Sequence, residues 1–453
     1  MGKHATFQKP LLFQSKLLCF SLIYLISSVS LAVYFSFSAT NCFFRSSPFD
    51  PIQSPLFSYP PSYGEHKHSI PTTRSSCDSP VFFSDYLVVF NEIQRLIANN
   101  SSALGSKSSL RYMHEISSAS FGGKLSFPER LSYFDHHDNE IEIPCGFFKR
   151  FPISTSDRTS MEKCNGLVIV SAIFNDHDKI RQPRGLGSKT LDHACFFMFV
   201  DDATLNRLHF HNLISKNSKM ELKIGAWRII NVASERLYEN AAMNGIVPKY
   251  LTHRLFPNSK YSIWVDAKMQ LVVDPFLLIH SLVENENADM AISRHPYFVH
   301  TIEEAMATAR WKKWWDVNGL KIQMESYCEN GLVPWSSNKP YPTDVPDSAI
   351  ILRKHSVATN LFSCLLFNEL EAFNPRDQLG FAFVRDKMSP KLKLNMFEVE
   401  VFEQVAIEYR HNLKQGGAHV GPKTKMASSD LFVNRSCGKC EGYLLNMWGE
   451  SHD

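Results

Sequence analysis

The chain lacks an excess of charge of either sign: 48 basic and 45 acidic residues among 453 leave a formal charge of +3. Without a basic stripe there is no electrostatic footprint for a polyanion, which disfavours nucleic acid, and none is expected as a partner. No Gly-x-Ser-x-Gly run occurs, and with it goes the strained elbow that would expose a serine nucleophile. Recognised zinc spacings are missing too. The 18 histidines offer His136-His137-Asp138, His177-Asp178, Asp192-His193, His209 with His211, and His295, but none is a compact ligand set. Cys437-Gly438-Lys439-Cys440 has no second close pair, which leaves a local disulfide or a free pair rather than half a zinc site.

Charge and proline are both missing from Leu17 to Phe37, and the first charged residue after this run is Arg45. As a helix the run spans about 30 Å, the thickness of a bilayer core. Lys3, Lys9 and Lys16 precede it, so the positive-inside rule predicts a single-pass type II anchor with a cytoplasmic N-terminus. The rival reading is a cleaved signal peptide, since Ser36-Phe37-Ser38-Ala39-Thr40 is rich in small residues, although the apolar run is long for one. Seven prolines and nine serines between Ser46 and Pro80 predict a disordered, extended stem. The expected organisation is therefore a cytoplasmic tail (1–16), an anchor (17–37), a stem (38–80), an N-terminal lumenal extension (81–163), a catalytic domain (164–425) and a C-terminal tail (426–453). Candidate glycan acceptors at Asn99, Asn100 and Asn434 suit a lumenal body. So do the eight cysteines from Cys77 to Cys440, an even set suited to disulfides in an oxidising lumen.

Short apolar runs that stop at polar or acidic residues recur through the body. They are Leu167–Phe174 before Asn175-Asp176, Ala194–Val200 before Asp201-Asp202, Ile229–Val232, Tyr261–Val265 before Asp266, and Met290–Ile292. Such runs, separated by mixed segments, predict an α/β sheet with its functional edge at the strand ends. Asp266 at such an end suits a divalent metal or a sugar hydroxyl, as in nucleotide-sugar transferases of the GT-A type. Its structural alternative is a turn aspartate. Thr301-Ile302-Glu303-Glu304 reads as a capping box opening a helix that reaches Trp311, Trp314 and Trp315, whose expected role is packing. Val399 to Tyr409 reads as helical.

Asn165-Gly166-Leu167-Val168, Tyr261 to Leu271, Arg294-His295-Pro296 and Arg376-Asp377-Gln378-Leu379-Gly380-Phe381 together resemble the plant turgor-regulation-defect and mucilage-related hexosyltransferase family. The resemblance implies a GT-A-like mixed sheet with flanking helices. It also implies one of two activities on a Golgi or endoplasmic reticulum membrane. The nearer branch is described as alkaline ceramidase, releasing sphingosine and fatty acid from ceramide, and this is the first expectation. The other branch implies hexosyl transfer from a nucleotide sugar for cell-wall polysaccharide or glycan synthesis. Asp266 and Asp377 are the candidate catalytic groups, and Asn175, Asp176, Arg184, Lys268, His295 and Gln378 the candidate substrate contacts. A divalent cation on Asp266 is a possibility that Lys268 puts in doubt, because it stands where an Asp-x-Asp motif has its second acid.

Overall fold

The computed structural model describes residues 15–36, 42–45, 49–63, 69–70, 77–102, 110–113, 120–136, 141–215, 221–311, 313–410 and 440. Asn434, Cys437, His137, Asp138 and the Gly416-Gly417 pair lie outside them. At its centre is a sheet of eight strands: β1 (Leu167–Ile173), β2 (Ala194–Asp201), β3 (Lys223–Ile224), β4 (Trp227–Val232), β5 (Tyr261–Val265), β6 (Met290–Arg294), β7 (Pro346–Lys354) and β8 (Leu394–Phe397). Their order across the sheet is β8-β6-β7-β5-β1-β2-β4-β3. Strands β5, β1, β2 and β4 run parallel, and β7 runs antiparallel to both its neighbours.

The near-continuous apolar sequence of the central strands follows from burial on both faces. In β1, Val168 and Val170 join one hydrophobic cluster while Leu167, Ile169 and Ile173 join the other, as the two-residue period of a strand requires. Segments expected to lie outside the body contribute to these same clusters. Tyr63, Phe83, Tyr86 and Val89 are buried on one face, and Phe121, Phe134 and Phe151 on the other.

The expected extended stem is corrected in part. Tyr59 donates its hydroxyl to the Ile180 carbonyl at 2.8 Å, and the Ile52 amide donates to the Leu186 carbonyl at 2.8 Å. Aromatic residues supply the apolar area that the proline and serine count hid. Phe57 meets Tyr59 edge to face, and Tyr59 stacks on Tyr63.

Among the described residues three disulfides staple the body, Cys145–Cys364, Cys164–Cys195 and Cys328–Cys440. The expected local pairing of Cys440 with Cys437 is therefore corrected: its partner is Cys328, on helix Val317–Glu329. Two helical expectations also shift. Helix Thr301–Arg310 is capped one residue earlier than predicted, with the Glu303 carboxylate accepting from the His300 and Val299 amides, which frees Glu304 for the interior. The predicted helix from Val399 ends at Val405, and Ala406–Glu408 turns into a strand pairing with Met269–Leu271. The apolar N-terminal helix Lys16–Ser36 has one stretch long and apolar enough to cross a membrane, none of it buried against the body.

Candidate active site

A cleft of about 830 Å3 opens at the carboxyl ends of β1 and β5. Asn175, Asp266, Lys268, Asp377 and Gln378 all line it, together with Lys249, Lys313, Asp347, Ser348 and Arg376. Asp266 is fixed from two sides. The indole Nε1 of Trp264 donates to its Oδ1 at 2.6 Å, and its amide donates to the Ala349 carbonyl at 2.8 Å. Lys249 Nζ lies 3.7 Å from the same oxygen, and about a third of the Asp266 side chain remains exposed to the cleft.

Asp377 sits deeper and is saturated. It accepts from the Tyr250 hydroxyl at 2.7 Å and from the Ser348 hydroxyl at 2.7 and 2.8 Å, and it pairs with Lys249 at 2.7 Å. Burial alone would raise its carboxyl, but the Lys249 charge and these hydrogen bonds outweigh it and hold the group below the ordinary carboxylate value. For Lys249 burial pulls the ammonium down, while Asp266 and Asp377 overcompensate and leave it above the ordinary lysine value. Asp377 is thus a positioning carboxylate for a protonated lysine, with no spare capacity to take a proton. Ser348 beside Lys249, at 3.1 Å, has the composition of a serine–lysine nucleophilic pair. A lysine held protonated by two carboxylates cannot deprotonate that serine.

Lys268 is engaged rather than free. It pairs with Glu408 at 2.8 Å, and although burial lowers it, Asp266, Glu408 and Asp347 together raise it well above its ordinary value. The opposite wall is different. Lys313 lies 3.5 Å from Glu304 Oε1, to which Arg376 also donates, and Glu304 is fully buried. His295 stands 3.9 Å from the other Glu304 oxygen, but burial pushes its imidazole down to about 4, so it adds no charge at neutral pH. Two cations therefore share one carboxylate, leaving a net positive charge facing the cleft. That suits an anion with oxygens at several positions, such as a diphosphate.

Three predicted contacts are placed elsewhere. Asn175 and Asp176 both adopt left-handed backbone, at φ 58° and 53°, in a turn pinned where the Asn175 amide donates to Asp201 and the Asp176 amide to Thr204 Oγ1. The turn sets the Asp176 carboxylate 3.7 Å from Arg207, and Asp176, expected as a substrate contact, is not among the residues lining the cleft. Arg184 lines a separate cavity of about 650 Å3 between residues 182–186 and residues 52–61. His295 accepts from the amides of Tyr297 and Phe298 through Nδ1 and supports Glu304 from behind. Trp311 and Trp315 are exposed, contrary to the expected packing, while Trp314 is half-buried against the core.

A divalent cation fits poorly here. Among the described residues the one group of three with metal-ligand geometry is Cys145, His253 and Cys364, a buried set whose cysteines form a disulfide outside the cleft lining. The cleft acids are spread around Lys249 and Lys268, and no chemical step is drawn through a metal.

A mixed sheet of this order, with an acid-and-cation cleft at its parallel strand ends, defines a glycosyltransferase-like α/β enzyme. The profile of the family described as TOD1/MUCI70, glycosyltransferase-like domain, matches residues 106–411, and the chain belongs to that family. It is 59% identical to "Alkaline ceramidase TOD1" of Arabidopsis thaliana over 99% of this chain and 100% of that protein. To "Probable hexosyltransferase MUCI70" of the same plant it is 34% identical, over 74% of this chain and 58% of that protein. Mouse xyloside xylosyltransferase 1 is a remote structural likeness, at 9% identity and a TM-score of 0.28 over 51% of this chain and 85% of that one, too slight to bear on function.

Proposed function

We propose that the chain is a membrane-anchored glycosyltransferase that binds a nucleotide sugar in the cleft and transfers its hexosyl group. The observation that carries this reading is the Lys313–Arg376 pair on the single buried carboxylate of Glu304. In this reading the two cations hold the donor diphosphate, and Asp266 is the accessible carboxylate at the transferred sugar and acceptor. The bond from the anomeric carbon to the diphosphate oxygen breaks with its electron pair leaving on the diphosphate. The acceptor oxygen bonds to that carbon, and its proton passes to Asp266. Gln378 and Asn175, both lining the cleft, offer amides to the sugar.

Ceramide hydrolysis is the second reading, favoured by the name of the relative at 59% identity. Sequence resemblance set it first by a small margin. The Lys313–Arg376 pair favours the transferase reading over it, and hydrolysis in the same cleft would run on water activated by Asp266, since the Ser348 hydroxyl accepts from Lys249. Incubating the purified full chain in parallel with ceramide and with a panel of nucleotide sugars separates the two. Sugar transfer without sphingosine release is expected, and Asp266→Asn should abolish it with the fold intact, since an amide oxygen still accepts from Trp264. Sphingosine release with no nucleotide binding would overturn the transferase reading.

The same reading takes the body as lumenal in the Golgi, supported by the lysines preceding the apolar helix and by Asn99, exposed in the last turn of helix Tyr86–Ser102. Treatment with a peptide N-glycosidase should increase the mobility of the membrane-expressed chain. Digestion of the body by protease added to sealed microsomes would reverse the topology.

A further inference from the structure

We infer that the body rides directly on the bilayer, with Phe44, Phe82, Leu87 and Val88 seated at the headgroup–acyl boundary of the leaflet from which helix Lys16–Ser36 emerges. The inference rests on that helix being a membrane anchor and is independent of the reaction catalysed.

The first ground is the length of the tether. The chain is tied into the body at Cys42, which is fully buried. The Cys42 amide donates to Gln404 Oε1 at 2.9 Å, and its carbonyl accepts from the Val81 amide at 2.8 Å. Phe43–Arg45 then forms a parallel ladder with Val81–Phe83. Only residues 37–41 separate the last helical residue from this anchorage. Whatever their conformation, six steps of at most about 3.6 Å reach roughly 20 Å. Crossing the headgroup layer uses about 5–7 Å of that. Cys42 therefore stays within about 15 Å of the bilayer surface, less than the width of the domain it belongs to.

What surrounds the anchorage is the second ground. Phe82, opposite Phe44 in the ladder that follows Cys42, is 66% exposed and stacks on Phe44 at 5.3 Å between ring centroids. Leu87 and Val88, in the first turn of helix Tyr86–Ser102, are 41% and 59% exposed. Single exposed apolar residues are unremarkable, but aromatic and aliphatic groups gathered where the chain leaves a membrane are those that partition to its interface. Arg45, packed over the Phe49 ring at 4.1 Å, adds a cation at headgroup depth. The tether also bears on access to the cleft. Gln404, which holds Cys42, lies on helix Val399–Val405, and that helix runs straight into the strand whose Glu408 pairs with Lys268. The tethered segment thus lies one short strand away from a residue of the cleft.

The test uses the full chain in phosphatidylcholine vesicles doped with a phosphatidylcholine carrying a diazirine on its acyl chain. After irradiation, adducts are mapped by peptide mass spectrometry. Adducts are expected in Lys16–Ser36 and in the peptide containing Phe82, Leu87 and Val88. In the Phe82→Glu, Val88→Glu double variant the body adducts should be lost while those in the helix persist. Both positions are exposed, and unchanged resistance to limited proteolysis verifies that the variant is folded. Adducts in the helix alone for the unaltered chain, or body adducts that survive the double replacement, overturn the inference. Adducts missing from the helix as well would sink the membrane anchor itself.

Discussion

Asp377→Asn is expected to destabilise the protein by about 3–5 kcal/mol, the cost of stripping a buried ion pair of one partner. Lys249 would keep its charge in a site 8% exposed, with Asp266 at 3.7 Å and Ser348 as its remaining partners. The hydroxyls of Tyr250 and Ser348 would face an amide in place of an anion. Turnover should fall with stability, because Lys249 is then no longer held against the floor of the cleft. Adding Lys249→Met to Asp377→Asn removes the stranded charge. The double variant should regain most of the lost stability in chemical denaturation without regaining activity. If the single variant unfolds at the denaturant concentration of the unaltered protein, the pair is not the anchor described here.

The pH dependence of this pair follows from the two shifts. Asp377 titrates below its unfolded value, so its contribution is present above about pH 4 and is lost as pH falls through the folded value. Lys249 titrates above its unfolded value, so its contribution is present below about pH 10 and is lost as pH rises through the folded value. Between those limits the pair is intact. A rise of activity between neutral and mildly alkaline pH would therefore report another group.

Much of this architecture is legible in the sequence, and what is not has identifiable causes. Strands β1, β2, β4, β5 and β6 each carry an apolar run; four of them run parallel to one another, and β6 lies beside the antiparallel β7. The rule that an acid follows a strand at its carboxyl end finds Asp266 and overlooks Asp347 and Ser348. Those two stand at the amino end of β7, whose antiparallel direction brings that end to the same edge of the sheet. Lys249 is hidden in helix Ala241–Tyr250, where a lysine reads as surface until Asp377 is found packed against it. Glu304 is hidden by the capping pattern, in which Glu303 fits equally well one residue earlier. Asp176 misleads for a different reason: Asn and Asp tolerate the left-handed region, but the sequence does not say that both adopt it here, in the turn that leaves the Asp176 carboxylate near Arg207.

The cations on Glu304 carry the second large effect. Lys313→Ala and Arg376→Ala should each weaken nucleoside diphosphate binding by about tenfold to a hundredfold, the range for one charge-assisted hydrogen bond of about 1.5–3 kcal/mol. Either loss leaves the remaining cation balanced by Glu304, so the cleft wall becomes neutral where it had been positive. Arg376→Lys should recover only part of the affinity, since it restores the charge without the planar fork. Replacing both cations at once would strand Glu304 in the interior and confuse binding with folding, which makes the single variants the informative ones. Lys268→Ala is the internal comparison. Its ammonium already serves Glu408 at 2.8 Å, so its removal should disturb the strand pairing around Met269–Leu271 more than the affinity for the nucleotide. Calorimetric titration of uridine and guanosine diphosphates into the folded variants reads these differences directly. Equal binding by Lys313→Ala, Arg376→Ala and the unaltered protein would remove the diphosphate from this wall. A loss confined to Lys268→Ala would return it to the carboxyl end of β5.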